Sequence, residues 1–281
     1  MDLPRPFLFS RFLDGEQSSR FNCICPGFEL KKWRCVRLAA HLLDWLPDFA
    51  IRQDDLPPRI ENITDYRKLI EDAAERIYKT EKSDSRGEIG ELLLHAICRQ
   101  FSGTFPAVSK VYYKDSSNDV VKGFDLVHTR YDQTTSELQL WLGEAKFYKS
   151  GADAVGEAIT SLRKHLDAGF LTSEKILIGN KVSTDTPGYS QLKFLFDRDT
   201  PLDQIFQRLI VPVLIAYDSA NTASYNDDNS YDEALRTEIT QFQRALSTKL
   251  RTNISLFCFY FPMSSKESLI DQFDRRLSGY R

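Results

Sequence analysis

Three residues suggest chemistry before any element is assigned. Asp125 lies in KGFDLVH, and Glu144 and Lys146 lie in LWLGEAKFY. On an extended chain Glu144 and Lys146 project from one face, about 6.7 Å apart. That face continues from Leu138, Leu140 and Leu142 by period-two alternation. A face that buries leucines and then ends in a carboxylate and an ammonium needs both charges compensated. Asp125, on the preceding strand, offers a second carboxylate. Two carboxylates converging at a sheet can hold a hard cation such as Mg²⁺, with Mn²⁺ as the alternative ion and water completing its shell. A lysine beside them can orient or deprotonate a water, or offset charge on a pentacovalent phosphate. The chemistry indicated is metal-assisted phosphodiester hydrolysis. The competing reading is a plain salt bridge between Glu144 and Lys146. The upstream Asp125 and the strand context on both sides favour the metal site.

The segment RGEIGELLLHAICRQF, residues 86–101, predicts a helix with Ile89, Leu92, Leu93, Ala96 and Ile97 on its apolar stripe. Two glutamates stand off that stripe. Ser85 and Glu88 fit a capping box, which gives Glu88 a structural role. Glu91 has no such explanation, and with Leu94 and Cys98 flanking it the helix should be largely buried. Glu91 is a candidate third carboxylate, directly or through water, weighed evenly against a partly exposed surface glutamate. Other catalytic patterns are missing: no GxxxxGK[ST], GxSxG or HExxH occurs. Cys23, Cys25, Cys35 and His41 could supply four zinc ligands, but C-x-C is not a usual knuckle spacing, and core packing explains Cys35 and His41 more simply. His165 follows Arg163 and Lys164 and is expected on a helix surface, where it could touch a phosphate.

These residues must be positioned by the rest of the 281-residue chain, which has material for a substantial core. Helices are predicted at 29–46 (stripe Trp33, Val36, Ala40, Leu43), 64–80, 152–166, 201–208, 232–250 and 265–277. Strands are predicted at 107–114, 119–129, 137–148, 175–179 (KILIG), 209–217 (LIVPVLIAY) and 254–260, with 220–231 as a polar loop. Helices followed by a strand meander and then alternating helix and strand imply an α/β (α+β) fold with a mixed sheet and helices on both faces. Residues 1–82 are expected to form an N-terminal helical region packed on the core. The net charge is −3, so any nucleic-acid contact must use a focused patch. Besides Lys146, the candidates for DNA binding are Lys149, Arg163 and Lys164. The N-terminus lacks the pattern of a signal peptide, the most apolar run is too short to span a bilayer, and five cysteines suit a reducing compartment. A cytoplasmic protein without membrane contact is expected.

A helix with Gly-Glu, then GFD on one strand, then GEAKFY on the next resembles the PD-(D/E)xK restriction-endonuclease-like nucleases. The resemblance maps the motif Asp to Asp125, the (D/E)xK pair to Glu144 and Lys146, and the helix glutamate to Glu91. Phe124 stands where the motif has proline. It implies a nuclease-like domain over 83–281 with a C-terminal α/β extension. The wider pattern, KGFDLVH, LWLGEAKFY, AITSLRKHL and PVLIAYD…ISLFCFYFP…LIDQFDRRL, resembles the HamA family, nuclease subunits of the Hachiman anti-phage defence system. This likeness covers most of 85–281. It implies a metal-dependent DNA nuclease effector controlled by a partner helicase, HamB. Segments 1–80 and 265–277, not needed to build the site, are candidate docking elements for that partner. The alternative is a catalytically silent nucleic-acid-binding or regulatory subunit of the same fold. The intact Asp125, Glu144 and Lys146 favour the enzyme.

Overall fold

The strand built from LIVPVLIAY is buried on both faces, and the fold is arranged to cover it. A computed structural model describes residues 3–16, 19–79, 87–109, 123–250 and 254–280. Its strands are β1 (Phe9–Glu16), β2 (Ser19–Cys25), β3 (Phe28–Glu29), β4 (Lys32–Trp33), β5 (Phe105–Val108), β6 (Leu126–Asp132), β7 (Glu137–Phe147), β8 (Leu209–Asp218) and β9 (Ser255–Met263). Its helices are α1 (Cys35–Asp44), α2 (Leu46–Ala50), α3 (Ile63–Lys79), α4 (Gly87–Ser102), α5 (Gly151–His165), α6 (Ala168–Gly179), α7 (Tyr189–Leu195), α8 (Leu202–Phe206), α9 (Ala220–Ala223), α10 (Asp228–Lys249) and α11 (Lys266–Leu277).

Seven strands form one mixed sheet in the order β1-β2-β9-β8-β7-β6-β5. The inner strands β2, β9, β8 and β7 run parallel to one another, while β1 at one edge and β6 and β5 at the other pair antiparallel. Parallel strands covered on both faces are continuously apolar, which is why β8 carries no alternation of polarity. Its Val211, Val213, Ile215 and Tyr217 face a layer containing α5, α6, α7 and α10. Its Leu214 and Ala216 face the opposite layer of α1, α3, α4 and α11. The α+β class and the helices on both faces are as the sequence predicts. No helix among the described residues is long and apolar enough to cross a membrane.

The N-terminal region departs from a purely helical reading. Residues 9–25 are two strands that extend the sheet beyond β9. The predicted helix at 29–46 begins only at Cys35, because residues 28–33 form a tight hairpin with Leu30 and Lys31 both at positive φ, the geometry of a primed two-residue turn. Val36 is accordingly half-exposed, and Leu38, Ala39, Leu42 and Leu43 make the buried stripe. Of the zinc candidates, Cys25 Sγ accepts from the Gly27 N–H at 3.2 Å, and His41 Nε2 accepts from Trp45 Nε1 at 3.0 Å.

KILIG is helical and not a strand. Asp167 caps α6 by accepting from the N–H groups of Gly169 and Phe170, and a three-residue apolar run cannot by itself tell a buried strand from a buried helix. The polar stretch at 220–231 holds α9 and the first turn of α10, capped by Asp227, with Asp228 and Asp232 paired to Arg11. Residues 80–86 and 110–122 lie outside the described residues. They include Ser85 of the expected capping box and parts of the strands expected at 107–114 and 119–129.

Candidate active site

The site forms where β6 and β7 meet α4 and α5. Asp125 immediately precedes β6 and is lashed to β7. Its N–H donates to the Gly143 carbonyl at 2.8 Å, and its Oδ2 accepts from the Ala145 N–H at 2.9 Å. The aspartate is thereby fixed against the backbone between Glu144 and Lys146. Gly123, two residues earlier, lets the Glu174 carboxylate of α6 approach closely: a Cβ there would stand 2.5 Å from Glu174 Oε2, and the Glu174 side chain would have to shift.

On β7, Glu144 and Lys146 continue the face of Leu138, Leu140 and Leu142, as alternation predicts. Glu144 is 3% exposed. Lys146 Nζ donates to Glu144 Oε1 at 2.7 Å and to Ser161 Oγ at 2.8 Å. The second carboxylate oxygen, Oε2, bonds His165 Nδ1 at 3.0 Å. Ser161 and His165 lie four apart on α5 and so share a helix face. Burial alone would push the Glu144 carboxyl up, but the hydrogen bond from His165 and the charge of Lys146 outweigh it and hold the group below its usual range. The Lys146 ammonium and the His165 hydrogen bond therefore supply the compensation that the buried Glu144 needs.

Glu91 reaches the same place from α4. That helix is buried through Leu94 and Cys98, as its flanking residues predict. It sits close on β7 because residue 90 is glycine: a Cβ there would lie 2.8 Å from the Cβ of Phe147. Glu91, Asp125, Glu144, Lys146, His165 and Lys266 all line one cleft of about 390 Å³. Lys149, Arg163 and Lys164 are not in its wall. Lys149 pairs with Glu267, Arg163 donates to the Lys249 carbonyl, and Lys164 lies 5.8 Å from the Phe170 ring centre.

His165 and Lys266 differ from expectation. His165 is buried, stacked on Phe170 at 4.8 Å, and not on a helix surface. The signal was available: Ala158, Leu162 and His165 recur at helical spacing, so His165 belongs to the buried stripe of α5. Lys266 opens α11, a helix that is needed to complete the cleft wall. No local pattern could place it beside a strand more than a hundred residues earlier.

No three His, Cys, Asp or Glu side chains among the described residues converge as a ready cage for a metal ion. Each Glu144 oxygen accepts one hydrogen bond and retains a lone pair. The donor set fits a hard cation held by one or two carboxylates, with water and a substrate phosphate completing its shell.

No curated protein matches the sequence. A family model for HamA matches residues 6–277 of the 281. With that match spanning the sheet, both helical layers and the cleft, the chain belongs to the HamA family, a component of Hachiman defence systems.

Proposed function

We propose that this chain is the DNA nuclease of its Hachiman system, hydrolysing phosphodiester bonds with Mg²⁺ under the control of the helicase HamB. The observation that supports this reading is the convergence of Glu91, Asp125, Glu144 and Lys146 on one open cleft. In the reaction a water oxygen bonds to phosphorus and gives up a proton to solvent, one ester P–O bond breaks, and the leaving alkoxide takes a proton from solvent. Asp125 and Glu144, with Glu91 as the third candidate, would hold the ion, which supplies charge neutralisation and a more acidic water. Two donors of the Lys146 ammonium go to Glu144 and Ser161, which leaves one N–H for a water or a phosphate oxygen. While its other donors hold Glu144 and Ser161, Lys146 would orient a water and offset charge on the phosphate. His165 fixes the rotamer of Glu144 and is a positioning residue.

The silent-subunit reading is favoured by one observation: the charge of Glu144 is already satisfied by Lys146 and His165. Plasmid degradation separates the two readings. Chain purified alone and with HamB is incubated with Mg²⁺ or with EDTA, beside Glu144→Ala and Lys146→Ala. A nuclease degrades DNA only with the ion and loses activity in both variants. Absence of cleavage in every arm, or cleavage unaffected by both substitutions, assigns the activity elsewhere.

A further inference from the structure

We infer that Lys266, at the first turn of the C-terminal helix α11, is a phosphate-contacting residue of this cleft, and that Asp218 at the end of β8 is the residue that positions it. The inference rests on the reading of the cleft as a DNA-cleaving site and adds a second cation to it.

The cations near the cleft are not equivalent. Lys146 is engaged by Glu144 and Ser161, and Lys149 by Glu267. Lys266 makes no salt bridge among the described residues. Its Nζ donates once, to the Phe147 carbonyl at 2.8 Å, and lies 4.8 Å from the Phe147 ring centre and 5.9 Å from that of Tyr148. An ammonium carries three donors, so two remain. The group is half-buried in the cleft wall that also holds Glu144 and Asp125. Burial pushes its pKa below the ordinary lysine value, against the pull of Asp218. A partly desolvated cation with spare donors, facing a cleft, gains most from an anion that enters that cleft.

The residue is also held in place. Its backbone N–H donates to Asp218 Oδ1, Ser265 caps α11 by accepting from the Ser268 N–H at 3.1 Å, and the Ser219 N–H donates to the Met263 carbonyl at 2.8 Å. The stem is thus tied to the ends of β8 and β9, beside the end of β7. The positive end of a twelve-residue helix adds to the local potential. A phosphate lying along the cleft would meet Lys146 near the carboxylates and Lys266 at the wall, so the two would contact different parts of the backbone.

The test uses the full chain. Lys266→Gln removes the charge and keeps a donor for the Phe147 carbonyl, Lys266→Arg keeps the charge, and Asp218→Asn loosens the tether. Single-turnover cleavage of a duplex with Mg²⁺ should fall roughly tenfold in Lys266→Gln and recover in Lys266→Arg. Binding is measured in the Glu144→Ala background across a series of KCl concentrations. There Lys266→Gln should reduce the slope of log K against log salt by about 0.9, one phosphate contact, with unchanged thermal melting. Asp218→Asn should give a partial loss of the same kind. Lys266→Gln with parental cleavage and a parental salt slope overturns the inference, as does a loss that Arg fails to rescue. If the parent chain cleaves nothing, the nuclease reading fails and the salt-slope arm still decides Lys266.

Discussion

Each face of the sheet buries one carboxylate beside a histidine and a long cation, and the two clusters serve different ends. Toward α5, Glu144 is held by Lys146 and His165. Toward α4, Asp48 of α2 accepts from Arg99 Nε at 2.8 Å and from Gln53 at 3.2 Å, and it bonds His95 Nε2 at 2.9 Å. His95 Nδ1 continues to His128 Nε2 at 3.1 Å, and His128 Nδ1 to the Thr104 hydroxyl at 2.8 Å. One tautomer of each ring satisfies that chain, with both imidazoles neutral and every proton pointing toward Asp48. The space beside it is about 10 Å³, at most one water. The Glu144 cluster opens on about 390 Å³. Residue type is nearly the same in both. Access separates a strut that ties α2 to α4 and β6 from a set of groups that can meet a ligand.

Removing one charged group at a time should affect the two clusters in opposite ways. Glu144→Ala and Lys146→Ala should lower DNA cleavage by about 10²-fold or more while the chain stays folded, measured as plasmid loss per folded molecule. Glu91→Gln should give a smaller loss by the same assay. Asp48→Ala should do the reverse. It strands Arg99 and His95 in the core, at about 3–5 kcal/mol of stability by denaturant unfolding. Its specific activity, measured on the fraction that remains folded, should be near parental. If Asp48→Ala abolished cleavage without destabilising the chain, the division between strut and site would be wrong.

Acid should reach the sealed side first. Burial holds His41 down to about 4 from an ordinary 6.5, and it also lowers His95 and His128. The unfolded chain takes up these protons near pH 6.5 and the folded chain refuses them. Stability is therefore full above that pH and falls as pH drops toward 4, by about 1.4 kcal/mol per unit and group. Asp48 adds to this at lower pH. Burial would raise its pKa, but the His95 and Arg99 contacts hold it well below the carboxylate range, so its contribution disappears only in strong acid. Melting temperatures from pH 8 to pH 4 should be flat above 7 and decline below 6.5. A flat profile down to pH 5 would contradict the neutral histidine chain.

The smallest effects are expected outside the cleft. Reversing Arg163 and Lys164 to Glu should weaken DNA binding equally for all sequences and reduce the salt slope by at most about 0.9 per residue. An unchanged slope would place the DNA path away from the exposed edge of α5.

Much of the centre was legible because it is local. Period-two alternation alone put Glu144 and Lys146 on one face of β7, and the GFD segment placed Asp125 beside them. The flanks of Glu91 announced a buried helix, and the apolar run of β8 announced a strand covered on both sides. Local pattern is ambiguous elsewhere. KILIG fits either periodicity over so few residues, and packing against α8 accompanies its helical form, while the 28–33 hairpin delays the start of the helix whose stripe includes Trp33. The paired strands at residues 9–25 were missed because their alternation shows only once β9 provides a partner.

The sequence by itself determined the carboxylates, the lysine and the strand that presents them, since each depends on spacing within a few residues. Only the tertiary structure decided what surrounds them. It brought His165 under Glu144, sat α4 on β7 through the missing side chain of Gly90, and carried Lys266 to the cleft from 120 residues beyond Lys146. Burial, charge compensation and access arise between segments that approach only in the folded chain, and no spacing along the sequence encodes such a distance.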